Sequence, residues 1–365
     1  MDDRYSSCCG ALVGLAVGDA MGFPAENLTL TQIYESYGPM GLQGFDLLNG
    51  GVSITSYTQL AAYVANGLIL GLTRGQLKGS MAPFIRYVEM AEREWASTRL
   101  YPESGEKKKC WVSSAPTLKT AQCMDNFMLD SLYRGLVATM DEPRNHLKNP
   151  GAITAAVPIG LFINPASVPQ DQIDLLGAQT VALTHGDPTA FLSGAVLTHV
   201  LSRAAWGGVT DMWDLIRETC TMLQRRFAPK FPQANAMADK MRQILEFSIV
   251  RKDHTDVMQW LHCSNCCDVL MGALYANLAN PGDFDGTLIT AVNHSGKSGA
   301  TGAVAGAIAG TLLGHRAISR FYLESLPPAK TLRELGADLH LGCPNLHNGM
   351  FVDAAWDERY VKKLG

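Results

Sequence analysis

Gly10-Ala11-Leu12-Val13-Gly14-Leu15-Ala16-Val17-Gly18-Asp19-Ala20-Met21-Gly22 sets a glycine at every fourth position, and Gly302, Gly306, Gly310 and Gly314 repeat that spacing far along the chain. A four-residue step in an α-helix returns to nearly the same side, so each set forms a ridge without side chains. Each glycine costs a helix about 1 kcal/mol relative to alanine, and close backbone packing has to offset that cost. The stripes therefore predict helices packed tightly in a protein core, against each other or against further helices, rather than a membrane dimer. They also predict that the loops at the ends of the two helices lie near each other.

Outward from the stripes the period stays helical. Leu60, Tyr63, Val64, Gly67 and Leu68 share one helix face, Phe84, Tyr87, Val88, Ala91 and Trp95 a second, and Met128, Leu132, Leu136 and Met140 a third. Alternating runs of Val, Ile and Thr are scarce, so strands are not expected. Breakers such as Gly22-Phe23-Pro24, Gly50-Gly51, Asn149-Pro150-Gly151 and Asn280-Pro281-Gly282 cut the chain into helices of medium length. The fold class is all-α.

A length of 365 residues allows two to three domains or one large one, and no Pro/Ser-rich linker divides it. The polar stretch from Arg99 to Lys119, with Glu106-Lys107-Lys108-Lys109, reads as a solvated surface loop. A formal charge of −4, with 18% charged and 47% hydrophobic residues, argues against disorder and against the basic surface a nucleic acid demands. The apolar stretches Leu12–Met21 and Ala300–Leu313 fall short of the roughly 20 residues that span a bilayer. Nine scattered cysteines, an odd number, and the start Met1-Asp2-Asp3-Arg4 without a basic head point to free thiols in a reducing cytoplasm.

Few segments carry chemistry on their own letters. Asn293-His294-Ser295-Gly296-Lys297-Ser298-Gly299 contains Gly-Lys-Ser, yet a nucleotide-binding P-loop needs glycine where Ala291 stands and a strand before it. The preceding Phe284–Val292 reads as a short helix begun by Asp283, so only a glycine-rich turn suited to an anion remains. His262-Cys263-Ser264-Asn265-Cys266-Cys267 offers one Cys-x-x-Cys where structural zinc asks for four ligands, and it reads as buried thiols. In Thr184-His185-Gly186-Asp187-Pro188, Asp187 reads as a helix cap and His185 as a structural histidine.

Taken in order, these segments resemble the ADP-ribosylglycohydrolase family. The similarity runs through Gly10–Gly22 with Glu26, then Ser53-Ile54-Thr55-Ser56-Tyr57-Thr58-Gln59 where the family writes Thr-Asp-Asp-Thr-Gln, then Pro158-Ile159-Gly160-Leu161, Thr184-His185 and the segment from Ala291 to Gly314. It implies a single compact bundle of orthogonally packed helices over residues 1–342, with 343–365 as a C-terminal tail. It also implies a cleft for ADP-ribose and, in active members, two magnesium ions. Around that cleft it sets Thr55, Ser56, Tyr57, His185, Asn293, Lys297 and Ser298 as ligand-binding candidates. Glu26 matches a loop glutamate that assists a water or gates the cleft.

The chain departs from the family where the metals belong. Ser56 and Tyr57 stand in place of two adjacent Asp residues, and Ser295-Gly296-Lys297-Ser298-Gly299-Ala300 replaces Gly-Gly-Asp-x-Asp-Thr/Ser. Magnesium needs hard oxygen donors in near-octahedral geometry, so no metal and no cofactor is expected. Lys297 has two readings: a fixed charge in the space of a lost ion, paired with a ligand diphosphate or with Glu26, or a drifted side chain in solvent. Three functions stay open. They are a degenerate member that binds ADP-ribose or a related phosphate ligand, a metal-independent hydrolase using Glu26, and a scaffold acting through its surface. No nucleic acid and no membrane is expected as a partner.

Overall fold

The computed structural model describes residues 3–47, 52–103, 107–119, 122, 125–250, 252–344, 346–347, 350–351 and 353–363. Its first half contains α1 (Asp3–Gly22), α2 (Leu30–Tyr37), α3 (Ser56–Lys78), α4 (Phe84–Leu100), α5 (Asn126–Tyr133), α6 (Val157–Phe162), α7 (Gln170–Ala182) and α8 (Pro188–Ala205). Then come α9 (Met212–Met222), α10 (Gln233–Ile249), α11 (His254–Leu261), α12 (Cys266–Ala279), α13 (Phe284–Val292), α14 (Ser298–Leu313), α15 (Arg320–Ser325) and α16 (Ala329–Leu341). Among the described residues the sole strand pairing is the short antiparallel ladder of Leu346–His347 with Met350–Phe351. The fold is all-α.

Local chemistry starts and stops these helices. Thr55, Asp187 and Asp283 each accept a backbone N–H from the first turn of α3, α8 and α13, and Pro188 sits where a missing N–H does no harm. Gly79, at φ +66°, ends α3 in the left-handed conformation that glycine adopts without strain. The third periodic face is shorter than its spacing predicts. α5 ends at Tyr133, Gly135 turns the chain at φ +69°, and Leu136 is 45% exposed, so neither Leu136 nor Met140 continues the helix.

α1 and α14 form the centre, and they run antiparallel with their glycine stripes face to face. A Cβ built on Gly10, Gly14 or Gly18 would collide with the carbonyl oxygen of Gly310, Gly306 or Gly302, and one on Gly22 with that of Ser298. The two backbones touch directly, as the stripes require. Asp3–Ala25 is long and apolar enough to cross a membrane, but 89% of its most apolar window is buried inside the protein, as a core helix is.

The stretch from Arg99 to Lys119 is less solvated than its composition suggests. Two short helical turns, Trp111–Ser114 and Pro116–Leu118, bury Cys110, Val112 and Leu118. Within 343–365, Trp356 and Tyr360 reach the same core, and Asp338 of α16 holds Tyr360 Oη at 2.7 Å. Gly50, Gly51 and Glu106 lie outside the described residues. Cys263 and Cys266 are buried free thiols, and Cys266 Sγ donates to the carbonyl of Asn149 at 3.0 Å.

Candidate functional site

The packing of α1 on α14 delivers the end of one helix to the start of the other. Asp19, in the last turn of α1, is fully buried and cannot be left unpaired. Its carboxylate accepts the N–H and Oγ1–H of Thr55, both at 2.8 Å, and the N–H and Oγ1–H of Thr58 at 3.2 and 2.5 Å. These donors belong to the opening turn of α3, where free N–H groups and the helix dipole favour an anion. Burial pushes the Asp19 carboxyl up to about 6, against the pull of those four bonds. Thr55 is therefore both the cap of α3 and the clasp that holds it to α1.

Beyond α1, the short turn Phe23–Ala25 presents Glu26 to the start of α14. Its Oε2 accepts the N–H of Gly299 at 2.7 Å, and its Oε1 accepts the hydroxyl of Tyr57 at 3.2 Å. The ammonium of Lys297 stands 4.0 Å from Oε1, with the Glu26 side chain only 5% exposed. Burial drives the Glu26 carboxyl up to about 7, outweighing Gly299, Lys297 and Tyr57, which all pull it down. Lys297 also donates to Asn27 Oδ1 at 2.5 Å, while the N–H of Asn27, in a left-handed turn at φ +67°, bonds the carbonyl of Gly296 at 3.0 Å. Of the two readings of Lys297, pairing with Glu26 is the one observed, and the two loops meet as the stripes predicted.

The other candidates surround this cluster, with polar atoms engaged inside the fold. Ser56 is buried, and its N–H bonds the carbonyl of Gln122 at 3.2 Å. Ser298 Oγ donates to the carbonyl of His294 at 3.4 Å. Asn293 ties its loop down: Oδ1 accepts the N–H of Leu42 at 2.8 Å, and Nδ2 donates to the carbonyls of Leu42 and Ile289 at 2.9 and 2.8 Å. His185 is fully buried between Thr184 Oγ1 at 2.9 Å and Asn149 Oδ1 at 3.1 Å, and burial holds its imidazole neutral, down at about 4. The turn Pro150–Ala156 links that pair to the cluster, because Thr154 donates to the carbonyl of Tyr57 at 2.8 Å. Glu26, Tyr57 and Lys297 thus converge directly, and His185 stands behind them.

Sequence reasoning passed over Asp19 and Asn27 as site-building residues. A carboxylate inside an apolar helix was the available signal for Asp19. Nothing in the spacing marks Asn27 as the partner of a lysine 270 residues away.

The sequence pattern of ADP-ribosylglycohydrolases matches residues 1–348. The chain belongs to the ADP-ribosylglycohydrolase family. An uncharacterized protein of Archaeoglobus fulgidus is 26% identical to it over 345 residues, which cover 93% of this chain and 97% of that one. A solved chain described as an ADP-ribosylglycohydrolase-related protein complex shares the fold, with a TM-score of 0.54 and 19% identity over 94% of this chain and 99% of its own.

In this member of the ADP-ribosylglycohydrolase family the donors of the cluster suit magnesium poorly. The site's two carboxylates, Glu26 and Asp19, both have their oxygens engaged, Glu26 by Tyr57 and Gly299 and Asp19 by Thr55 and Thr58. Thr55 donates its hydroxyl to Asp19, and an ammonium lies where added positive charge would be repelled. Among the described residues no group of three or more His, Cys, Asp or Glu side chains is placed to hold a metal ion.

Proposed function

We propose that this ADP-ribosylglycohydrolase-family protein has lost magnesium-dependent hydrolysis and keeps its cleft as a binding site for ADP-ribose or a related phosphate ligand. The observation that carries this reading is the Lys297 ammonium beside Glu26 and the first N–H groups of α14. A lysine charge and a helix N-terminus together form an anion site that needs no ion. In the free protein Glu26 occupies that position itself, and protonation or rotation of its carboxyl frees the Gly299 N–H and the ammonium for a diphosphate. Calorimetric titration with ADP-ribose tests this. Binding that is indifferent to magnesium and weakened at least tenfold in Lys297→Asp is expected; equal affinity in both proteins, or no binding to either, overturns it.

One observation favours a second reading, in which the protein hydrolyses ADP-ribosyl links without a metal. A buried carboxyl at about 7 is poised for general acid–base work near neutral pH, which is worth roughly 10²–10⁴-fold in rate. Slow release of ADP-ribose in the presence of chelator, abolished in Glu26→Gln, would replace binding by hydrolysis as the function.

A further inference from the structure

The far end of α3 carries a concentration of charge that the cleft does not use. A pocket of about 300 Å³ opens between the last turns of α3, the start of α4 and the segment leading to Cys110. Arg74, Lys78, Arg86 and Lys109 line it, with Tyr87 and Met90 among its apolar walls, and no acidic side chain lines it among the described residues. This gathering occurs in a chain whose formal charge is −4.

Ordinary surface chemistry leaves the arrangement unexplained. The negative end of the α3 dipole accounts for Lys78 in the last turn, but Arg86 and Lys109 come from other elements. Arg74 and Lys78 stand four residues apart on one helix, where like charges repel. Of the acids nearby, Glu89 offsets one of the four cations and Glu94 is committed to backbone groups. Glu89 lies 3.1 Å from Arg86 and 3.9 Å from Arg93. Glu94 accepts the backbone N–H groups of Lys109 and Cys110 at 2.7 and 3.0 Å and the hydroxyl of Ser113 at 2.5 Å. That anchoring holds the Lys109 backbone in place, while no ion pair involves Arg74, Lys78 or Lys109 among the described residues. The Tyr87 ring is fixed as well, since it packs so closely on Gly71 that a Cβ there would lie 2.6 Å from it.

We propose that this pocket is a second binding site, for a compact polyphosphate-bearing small molecule, distinct from the ADP-ribose cleft. Arg74, Lys78 and Lys109, three cations without an ion pair among the described residues, line one small concave volume together with Arg86 beside Glu89. They match several phosphate charges on one short ligand, and the wall of Tyr87 and Met90 suits an apolar or aromatic appendage such as a nucleobase. Tyr57 and Arg74 are 17 positions apart on the same helix, roughly 25 Å at 1.5 Å per residue, so the two sites are separate. The adjoining groove extends the basic surface through Arg93, Lys107 and Lys108 but sets Glu89 and Glu94 among them. The acid-free lining is thus confined to the small pocket, and a compact ligand matches it better than a continuous polynucleotide that would have to cross those acids.

Titration of the full chain with inorganic phosphate, pyrophosphate and tripolyphosphate at low and physiological salt tests the proposal. Affinity should rise along the series and weaken with salt. It should fall at least tenfold in the double variant Arg74→Glu with Lys78→Glu, and persist in Lys297→Asp, which reports on the cleft. A milder pair, Arg86→Gln with Lys109→Gln, should give a smaller loss and keeps the test valid if the charge reversal disturbs folding. Tripolyphosphate binding that is absent, that is unchanged in both pairs, or that disappears only in Lys297→Asp overturns the second site. Binding of single-stranded oligonucleotides that tightens with length beyond tripolyphosphate overturns the small-molecule assignment.

Discussion

Glu26 holds its proton more tightly in the folded protein than in the unfolded chain, because burial raises its carboxyl from about 4.5 to about 7. The folded state is therefore favoured by this group below the lower value, and that advantage is lost as pH rises through the upper one. Glu26→Gln keeps the shape and removes the titration. Thermal melts should show the wild type losing stability relative to Glu26→Gln between pH 4.5 and 7, and a constant difference above that range. A difference that does not change with pH would mean that the carboxyl titrates normally. The neighbourhood of Glu26 was only partly legible in the sequence. Motif order brought Glu26, Tyr57 and Lys297 to the same region, but no spacing rule shows which way a hydrogen bond runs. Asn293, Thr55 and His185 turn their polar atoms to Leu42, Asp19 and Asn149, contacts between distant parts of the chain that no motif spells out.

At the scale of elements, the pairing of α1 with α14 was the most readable feature, because four-residue glycine spacing has few uses in a soluble core. Contacts across it are backbone to backbone, so a new side chain has no flexible neighbour to displace. Gly306→Leu should destabilise the protein by about 1–3 kcal/mol or more through overpacking, measured by denaturant titration; an unchanged midpoint would contradict the packing. The end of α5 was misread for a related reason. Apolar period alone continued the helix to Met140, although Gly135, one residue past the C-cap Arg134, already marked the turn.

For the molecule as a whole, length left two to three domains or one large one open and the family resemblance implied a single helical body, and the part that sequence reading described least well was the C-terminal segment. Trp356 and Tyr360 are fully buried, and Asp338 accepts from Tyr360 Oη at 2.7 Å and from Arg359 Nη2 at 2.8 Å. Three aromatics in the 23 residues beyond Gly342, namely Phe351, Trp356 and Tyr360, were too sparse a pattern to read as core. Removal of residues 353–365 should therefore cost at least about 3 kcal/mol, given roughly 1.5–3 kcal/mol per buried large side chain, with Asp338 losing both partners. Equal melting temperatures for the truncated and complete chains would show that the segment adds nothing to the fold.

Direct contact between α1 and α14 also sets how far the segments at their joined end can move. Interfaces built from side chains yield by rotamer changes, but carbonyl groups wedged into glycine ridges have no such soft layer, so the two helices behave as one stiff body. The Glu26 turn and the Lys297 loop leave the same end of that body, where Asn27 bonds Gly296 and Glu26 bonds Gly299, and so they move together with it. If the proposed ligand site is used, what can yield there is the set of Glu26, Tyr57 and Lys297 side chains and not the helices that carry them.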